Sequence, residues 1–437
     1  MFKIFDIQEA RQSILRREPL NTQQVPEMVR LGVEEIFGQG VTPYQAVTRI
    51  LNSVREEGDE ALQQWSLTLD NAIMESFLTP VEELENAYRD VSPQLKQALE
   101  TAADRIRDFH RRQPLPDWTT SELGGILGQR VTPVARAGVY VPGGTAPLPS
   151  SLLMSVIPAQ AAGVERIIVT TPPDPDPSIL ASAYLCEIDE IYQIGGAQAI
   201  AAMAFGTESV PRVDKIVGAG NLFVTIAKQQ VYGVVGLDGL AGPTETMVIA
   251  DDSADPEWVA SDLLAQAEHD VLASAILLTP SRDLAQAVQR AVARQLETLS
   301  RAEIITQSLE NKGGAVITPD LDTAAELADE YAAEHLCLAV KDPAGLAEKI
   351  NNAGGFFLGD HSFEVLGDYV AGPSHIMPTG GTARFASPLN VMDFVKISSL
   401  IGLDPHTARQ LSPLASQIAR VESLTAHAAS ADFRSDV

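Results

Sequence analysis

From Val131 to about Thr318 the chain alternates short apolar runs with Gly or Pro breaks and helical patterns, an alternation that restricts it to α/β layering. The runs are Arg166–Thr170, Glu190–Ile194, Lys215–Val217, Thr246–Ala250, Ala273–Leu278 and Ala315–Thr318. Each is short, and helical spacing follows it, so a largely parallel sheet is expected. Earlier, Thr42-Pro43-Tyr44-Gln45 carries a capping hydroxyl, a proline at the first helical position and a glutamine three residues after the cap. Ala46, Ile50 and Val54 then recur at helical spacing, so the first third reads as helical. Leu411, Leu414, Ile418 and Val421 predict a helical tail.

At 437 residues the chain exceeds one ordinary domain, and 45% hydrophobic against 20% charged residues is a globular balance. Its 31 Lys+Arg against 58 Asp+Glu give a net charge of −27. Such a field repels phosphate backbones and attracts cations, which argues against nucleic-acid binding. Arg105, Arg107, Arg111 and Arg112 share a helical stretch with Asp104 and Asp108 and read as a solvated face. Any anionic cofactor therefore needs local backbone donors. The two cysteines, Cys186 and Cys337, lie far apart, which fits a reducing compartment and no thiolate metal site. No secretory pattern opens the sequence and no run of about 18 apolar residues occurs, so no membrane span and a cytoplasmic location are expected.

Several segments carry chemistry. Gly195-Gly196 and Gly218-Ala219-Gly220-Asn221 each follow a strand and open a helix, where backbone N–H groups bind a pyrophosphate or simply make a tight turn. Phe223 stands where a dinucleotide fingerprint has its third glycine, and Asp238 lies about 20 residues on, where that fingerprint has a ribose-binding acid. Asp255 and Pro256 start a helix with Val259, Ala260, Leu263, Leu264 and Ala267 as its buried stripe. Asp262, Gln266 and His269 line its other side, either as an exposed polar face or with Gln266 and His269 converging on one ion. Glu334-His335 follows the helical pattern 323–333 and is an acid–base pair at a helix C-terminus or a plain capping pair. Asp368 and His375 fall in a glycine-rich loop, and Glu422 and His427 in the tail.

Taken in order, these segments resemble the histidinol dehydrogenase family. The resemblance is carried by Gly138-Val139-Tyr140-Val141-Pro142-Gly143-Gly144, Pro149-Ser150-Ser151, Gly195-Gly196-Ala197-Gln198 and Ala241-Gly242-Pro243-Thr244-Glu245. It continues through Asp262 to Asp270, Glu334-His335-Leu336 and Glu422 to His427, covering about residues 50–427. Thr244 stands where the family has serine and keeps the hydroxyl; Ala219 replaces a proline, and Pro373-Ser374 varies the usual pattern.

The resemblance implies a zinc-dependent enzyme that oxidises L-histidinol to L-histidine in two NAD-linked steps, at the end of histidine biosynthesis. It implies Gln266, His269, Asp368 and His427 as zinc ligands, His335 as the base and Glu334 as the group that activates water. Tyr140, Gln198 and Asn221 match the NAD contacts; Thr244, Gln266, His269, His335, Asp368, Glu422 and His427 match the substrate contacts. The implied fold is two incomplete Rossmann-like parallel-sheet domains, the second inserted in the first, with helical N- and C-terminal extensions. The expected bounds are 1–32 for the N-terminal extension, 33–139 with 244–389 for the first domain, 140–243 for the NAD domain and 390–437 for the tail. A homodimer is implied, with each tail completing the partner's site. The rival readings are a related dehydrogenase for another amino alcohol, a cysteine-nucleophile mechanism through Cys337, and a non-catalytic binding protein.

Overall fold

The computed structural model describes residues 2–17, 27–143 and 147–435. Gly144 of the expected motif and residues 18–26 of the expected extension lie outside them. The chain forms two compact units, Met1–Arg112 with Ala135–Asp393, and Gln113–Val134 with Phe394–Val437.

The first unit holds two parallel sheets. One has six strands in the order Ile4–Phe5, Gly313–Ile317, Ser274–Thr279, Glu245–Ala250, His335–Ala339 and Gly355–Leu358. The other has five, ordered Ile191–Gln193, Arg166–Thr171, Arg136–Tyr140, Lys215–Val217 and Gly236–Leu237. The five-stranded sheet falls in the sequence between Ile4–Phe5 and Glu245–Ala250, so it is an insertion in the other, as expected. Within the N-terminal extension, Ile4–Phe5 is an edge strand and Ile7–Gln12 a helix.

Both sheets double back. The chain moves outward from Glu245–Ala250 through Ser274–Thr279 to Gly313–Ile317, then returns to lay His335–Ala339 on the other side of Glu245–Ala250. The five-stranded sheet does the same around Arg136–Tyr140, returning with Lys215–Val217. Each sheet thus has a switch point between neighbouring strands, the usual place for a ligand crevice.

Local sequence explains these elements. Helix Pro43–Glu57 opens on a capping box, Thr42 N–H donating to Gln45 at 3.0 Å and Gln45 N–H to the Thr42 hydroxyl at 3.3 Å. Helix Pro256–Ala267 is capped by Asp255, and its expected stripe of Val259, Ala260, Leu263, Leu264 and Ala267 is buried. Met247, Val248, Ile249, Ile276 and Leu277 are fully buried in the central strands, each large side chain contributing about 1.5–3 kcal/mol.

The second unit pairs Val395–Leu403, Gly125–Pro133 and Trp118–Thr120 in an antiparallel sheet. Helices Pro405–Val421 and Thr425–Asp432 follow, and Leu414, Ile418 and Val421 on the first are exposed. No helix among the described residues is long and apolar enough to cross a membrane.

Candidate functional site

In the five-stranded sheet the functional groups gather at the carboxyl ends of the strands. Tyr140 ends one strand, and its buried hydroxyl accepts a hydrogen bond from Gly196 N–H at 3.1 Å. Helix Gly196–Phe205 has no side-chain cap from Gly195, which precedes it, and its first N–H is the one held by the Tyr140 hydroxyl. Asn221 caps helix Leu222–Val231 by accepting from Phe223 N–H at 3.1 Å and Val224 N–H at 3.2 Å. Gly218 has φ +111°, and a side chain there would collide with the carbonyl oxygen of Tyr140. Tyr140, Gln198 and Asn221, the three expected NAD contacts, line one cavity of about 900 Å³ with Asp70, Pro172 and Phe223. Its size suits a large organic ligand.

Asp238, the acid at fingerprint spacing, is not free for a ribose. Its carboxylate meets the Lys228 ammonium at 2.5 Å and accepts from Gly218 N–H and Gly239 N–H, each at 2.8 Å.

The six-stranded sheet places its polar centre at the opposite, amino ends of its strands. Thr244 precedes strand Glu245–Ala250 and Glu334 precedes strand His335–Ala339, which is its parallel neighbour. Adjacency in the sheet brings them together: the Thr244 hydroxyl donates to Glu334 at 2.6 Å and Glu245 N–H donates to the same oxygen at 3.0 Å. The helix-end position expected for His335 is corrected here. Helix Leu321–Tyr331 stops at Ala332, which takes a left-handed conformation (φ 52°), and His335 opens a strand instead. Its Nδ1–H donates to the carbonyl of Glu245 at 3.2 Å, which leaves Nε2 facing Asp368 Oδ1 at 3.3 Å. That Nε2 is buried and has no well-directed hydrogen bond.

Asp368 also departs from expectation. It lies on the short helix Glu364–Tyr369, not in an irregular loop. Glu364, four residues earlier on the same helix face, joins the centre by accepting from the Thr246 hydroxyl. Gln266 is fully buried, which rules out an exposed polar face at that position. Its amide nitrogen donates to Glu364 and its oxygen accepts from Glu245 N–H at 2.8 Å, with the Thr244 hydroxyl oxygen beside it. His375, a surface residue by default from sequence, is pinned instead. Its Nδ1 donates to the Asp368 carbonyl at 2.7 Å, and its Nε2 faces the Ser151 hydroxyl at 3.3 Å.

Burial and charge set the protonation of this centre. Burial pushes Glu334 up to about 7, against the pull of His335 and the bond from Thr244. For His335, burial favours the neutral ring, but Glu364, Glu334 and Asp368 outweigh it and push it up to about 10. Burial pushes Glu364 up to about 8. Asp368 is held below its ordinary range: burial opposes ionisation, and the pull of His335, whose Nε2 lies 3.3 Å away, overcomes that. Burial lowers both His269 and His375, and Asp368 pulls each the other way. The centre thus pairs one imidazole held positive with an ionised Asp368, beside two carboxyl groups whose ionisation burial opposes.

The geometry therefore assembles Thr244, Gln266, Glu334, His335 and Asp368, while His269, just past the end of helix Pro256–Ala267, is exposed. Glu422 ends helix Pro405–Val421 and His427 lies on helix Thr425–Asp432, both exposed and both in the second unit. His335, Glu364 and Asp368 set one ligand atom each within 4.8 Å of one another. Sequence reasoning missed Glu364, though its four-residue spacing from Asp368 was a usable signal. It also missed Arg17, whose guanidinium stacks 3.5 Å from the Tyr331 ring centroid and holds Glu245 through a bidentate pair. Cys337 is buried within strand His335–Ala339, and burial raises its thiol pKa well above the ordinary value.

Two Rossmann-like parallel sheets, one with a helix N-terminus beside a cavity and the other with an imidazole–carboxylate centre, define a class of two-sheet α/β proteins. The family model for histidinol dehydrogenase matches residues 39–435. The chain is 52% identical over 393 residues to histidinol dehydrogenase of Thermus thermophilus, covering 90% of this chain and 95% of that protein. It is 49% identical over 416 residues to histidinol dehydrogenase of Deinococcus radiodurans, covering 94% and 95%. The crystal structure of histidinol dehydrogenase from Elizabethkingia anophelis superimposes with a TM-score of 0.89 at 33% identity, covering 99% of this chain and 98% of that one. The chain belongs to the histidinol dehydrogenase family.

Proposed function

We propose that the chain is a zinc-dependent histidinol dehydrogenase that oxidises L-histidinol through L-histidinaldehyde to L-histidine, reducing one NAD in each step. The observation that carries the reading is the centre formed by buried Glu334 and His335 at the start of strand His335–Ala339 with Asp368 on helix Glu364–Tyr369. In each oxidation a hydride leaves the substrate carbon for NAD and a proton leaves its hydroxyl. His335 Nε2, with no well-directed bond of its own, takes that hydroxyl proton in its neutral state. Glu334, fixed by Thr244 and Glu245 N–H, takes a proton from the water that hydrates the aldehyde before the second hydride leaves.

The donors at this centre, one amide, one imidazole and one carboxylate on two neighbouring helices and a following turn, fit a divalent cation without thiolates. Gln266, His269 and Asp368 would hold zinc together with His427, and Thr244, Glu422 and His335 complete the substrate contacts. When bound, the cation supplies a positive charge that anchors substrate nitrogens and offsets the carboxylates, bringing His335 down toward its neutral form.

Tyr140, Gln198 and Asn221 bind NAD in the cavity of the five-stranded sheet, within an NAD domain of about residues 140–243 inserted between 33–139 and 244–389. The tail from about residue 390 reaches a second copy of the chain. The exposed stripe of Leu414, Ile418 and Val421, the last 87% exposed, supports this homodimer with shared sites. Two free, buried cysteines agree with work in the cytoplasm.

The test is stoichiometry. Metal-loaded protein incubated with L-histidinol and NAD forms two NADH per L-histidine. One NADH with the aldehyde as product identifies a simple alcohol dehydrogenase, and no turnover rejects the assignment.

A further inference from the structure

One buried acceptor in the cavity of the five-stranded sheet has no donor among the described residues. Gln198 is fully buried; its Nε2 donates to Asp70 Oδ2 at 3.3 Å, and its Oε1 is buried without a hydrogen-bond partner. Asp70 is the last residue of helix Asp59–Asp70, which belongs to neither sheet. Asn71 takes a left-handed conformation (φ 53°) and stops the helix there, leaving Asp70 at the cavity wall beside Gln198 and Tyr140. A carboxylate has about four acceptor sites, and Gln198 fills one. An amide oxygen and a carboxylate side by side call for two O–H donors on one rigid frame.

A vicinal diol supplies them, and a dinucleotide carries one on each ribose. The acid that the glycine-turn spacing would assign to a ribose, Asp238, is consumed by Lys228 and two backbone N–H groups. We propose that Asp70, from the N-terminal helices, takes that role: with Gln198 Oε1 it grips a ribose diol of the nucleotide and sets the preference for NAD over its 2′-phosphorylated form. A phosphate on the gripped ribose would meet a carboxylate in a chain already carrying −27 charges. This inference rests on the reading of the cavity as the NAD site.

The experiment is calorimetric titration of the full-length protein and its Asp70→Asn variant with NAD and, separately, with NADP, followed by steady-state kinetics. Loss of a charge-assisted hydrogen bond is expected to weaken NAD binding about tenfold or more. The KM for NAD rises with it, and kcat stays near that of the parent. If NADP binding holds or improves, the gripped diol is the adenosine ribose and the preference is supported; if both nucleotides weaken equally, the gripped diol is not the one that carries the phosphate and the proposed preference is overturned. Asp70→Glu, which keeps the charge and displaces it by one methylene, is expected to lie between. A parent that binds NAD while both variants bind it equally well overturns the role of Asp70 alone. A parent that binds no NAD removes the cofactor assignment itself.

Discussion

The two parallel sheets share a doubled-back topology and differ in the end that carries chemistry. In the five-stranded sheet the cavity lies at the carboxyl ends, beside helix Gly196–Phe205, whose N-terminus has no side-chain cap. In the six-stranded sheet every helix that directly follows a central strand is capped from its own side chains. Asp255, Ser281, Asp320 and Asp342 occupy the N–H groups of Glu257, Leu284, Thr323 and Gly345. Three of those caps are anionic, so the carboxyl ends of that sheet are closed to a phosphate. Its polar centre lies at the amino ends, where Thr244 and Glu334 meet across neighbouring strands. The five-stranded sheet mixes capped and uncapped helices after its strands, Asp176 and Asn221 capping two of them, and helix Gly196–Phe205 is the one of these beside the cavity that lacks such a cap.

The largest expected effect separates the two ends. His335→Asn removes the proton acceptor and is expected to lower kcat about 10²–10⁴-fold, with NAD affinity unchanged in a binding titration. A matching loss of NAD affinity would mean that the ends are not independent.

Next comes a stability effect confined to the five-stranded sheet. Lys228→Met leaves Asp238 buried at 7% side-chain exposure without its cation, at a cost of about 3–5 kcal/mol in urea unfolding. The pH titration of His335, followed by NMR, should not move.

The smallest is a pH-dependent gain in the six-stranded sheet. Burial, aided by Asp360, pushes Asp262 up to about 7 from an ordinary 3.8. Because the folded state holds that proton more tightly, Asp262 costs stability increasingly as pH rises from about 4 to about 7. Asp262→Asn is expected to stabilise the protein by on the order of 1–2 kcal/mol at pH 8 and by nothing near pH 3. Equal gains at both pH values would show that packing, not ionisation, is at work.

Much of the fold was legible because local rules were obeyed. The Thr42 capping box, the Asp255-Pro256 helix start and the strand Lys215–Val217 all stand where pattern put them. His335 was harder: apolar Ala332 and Ala333 extend the helical pattern, and only parallel pairing of His335 with Thr246 and Gly355 makes it a strand residue. The catalytic-type centre was legible by motif and not by spacing, since Thr244, Gln266, Glu334 and Asp368 meet only through sheet order and crossover helices. Asp238 shows the reverse error, a spacing that fits a ribose-binding acid and a side chain already paired with Lys228. Asp70 carried no sequence signal at all, because its place at the cavity comes from where an unrelated helix stops.

The most direct test of the division between the ends is anomalous diffraction at the zinc edge from crystals grown with zinc and NAD. The expected result is a metal peak bonded to Asp368, His269 and Gln266 at the amino ends of the six-stranded sheet, with nucleotide density beside Gly196 at the carboxyl ends of the five-stranded sheet. A metal peak remote from those three side chains, or nucleotide density along the capped helices after Ala250 and Ala339, would contradict it.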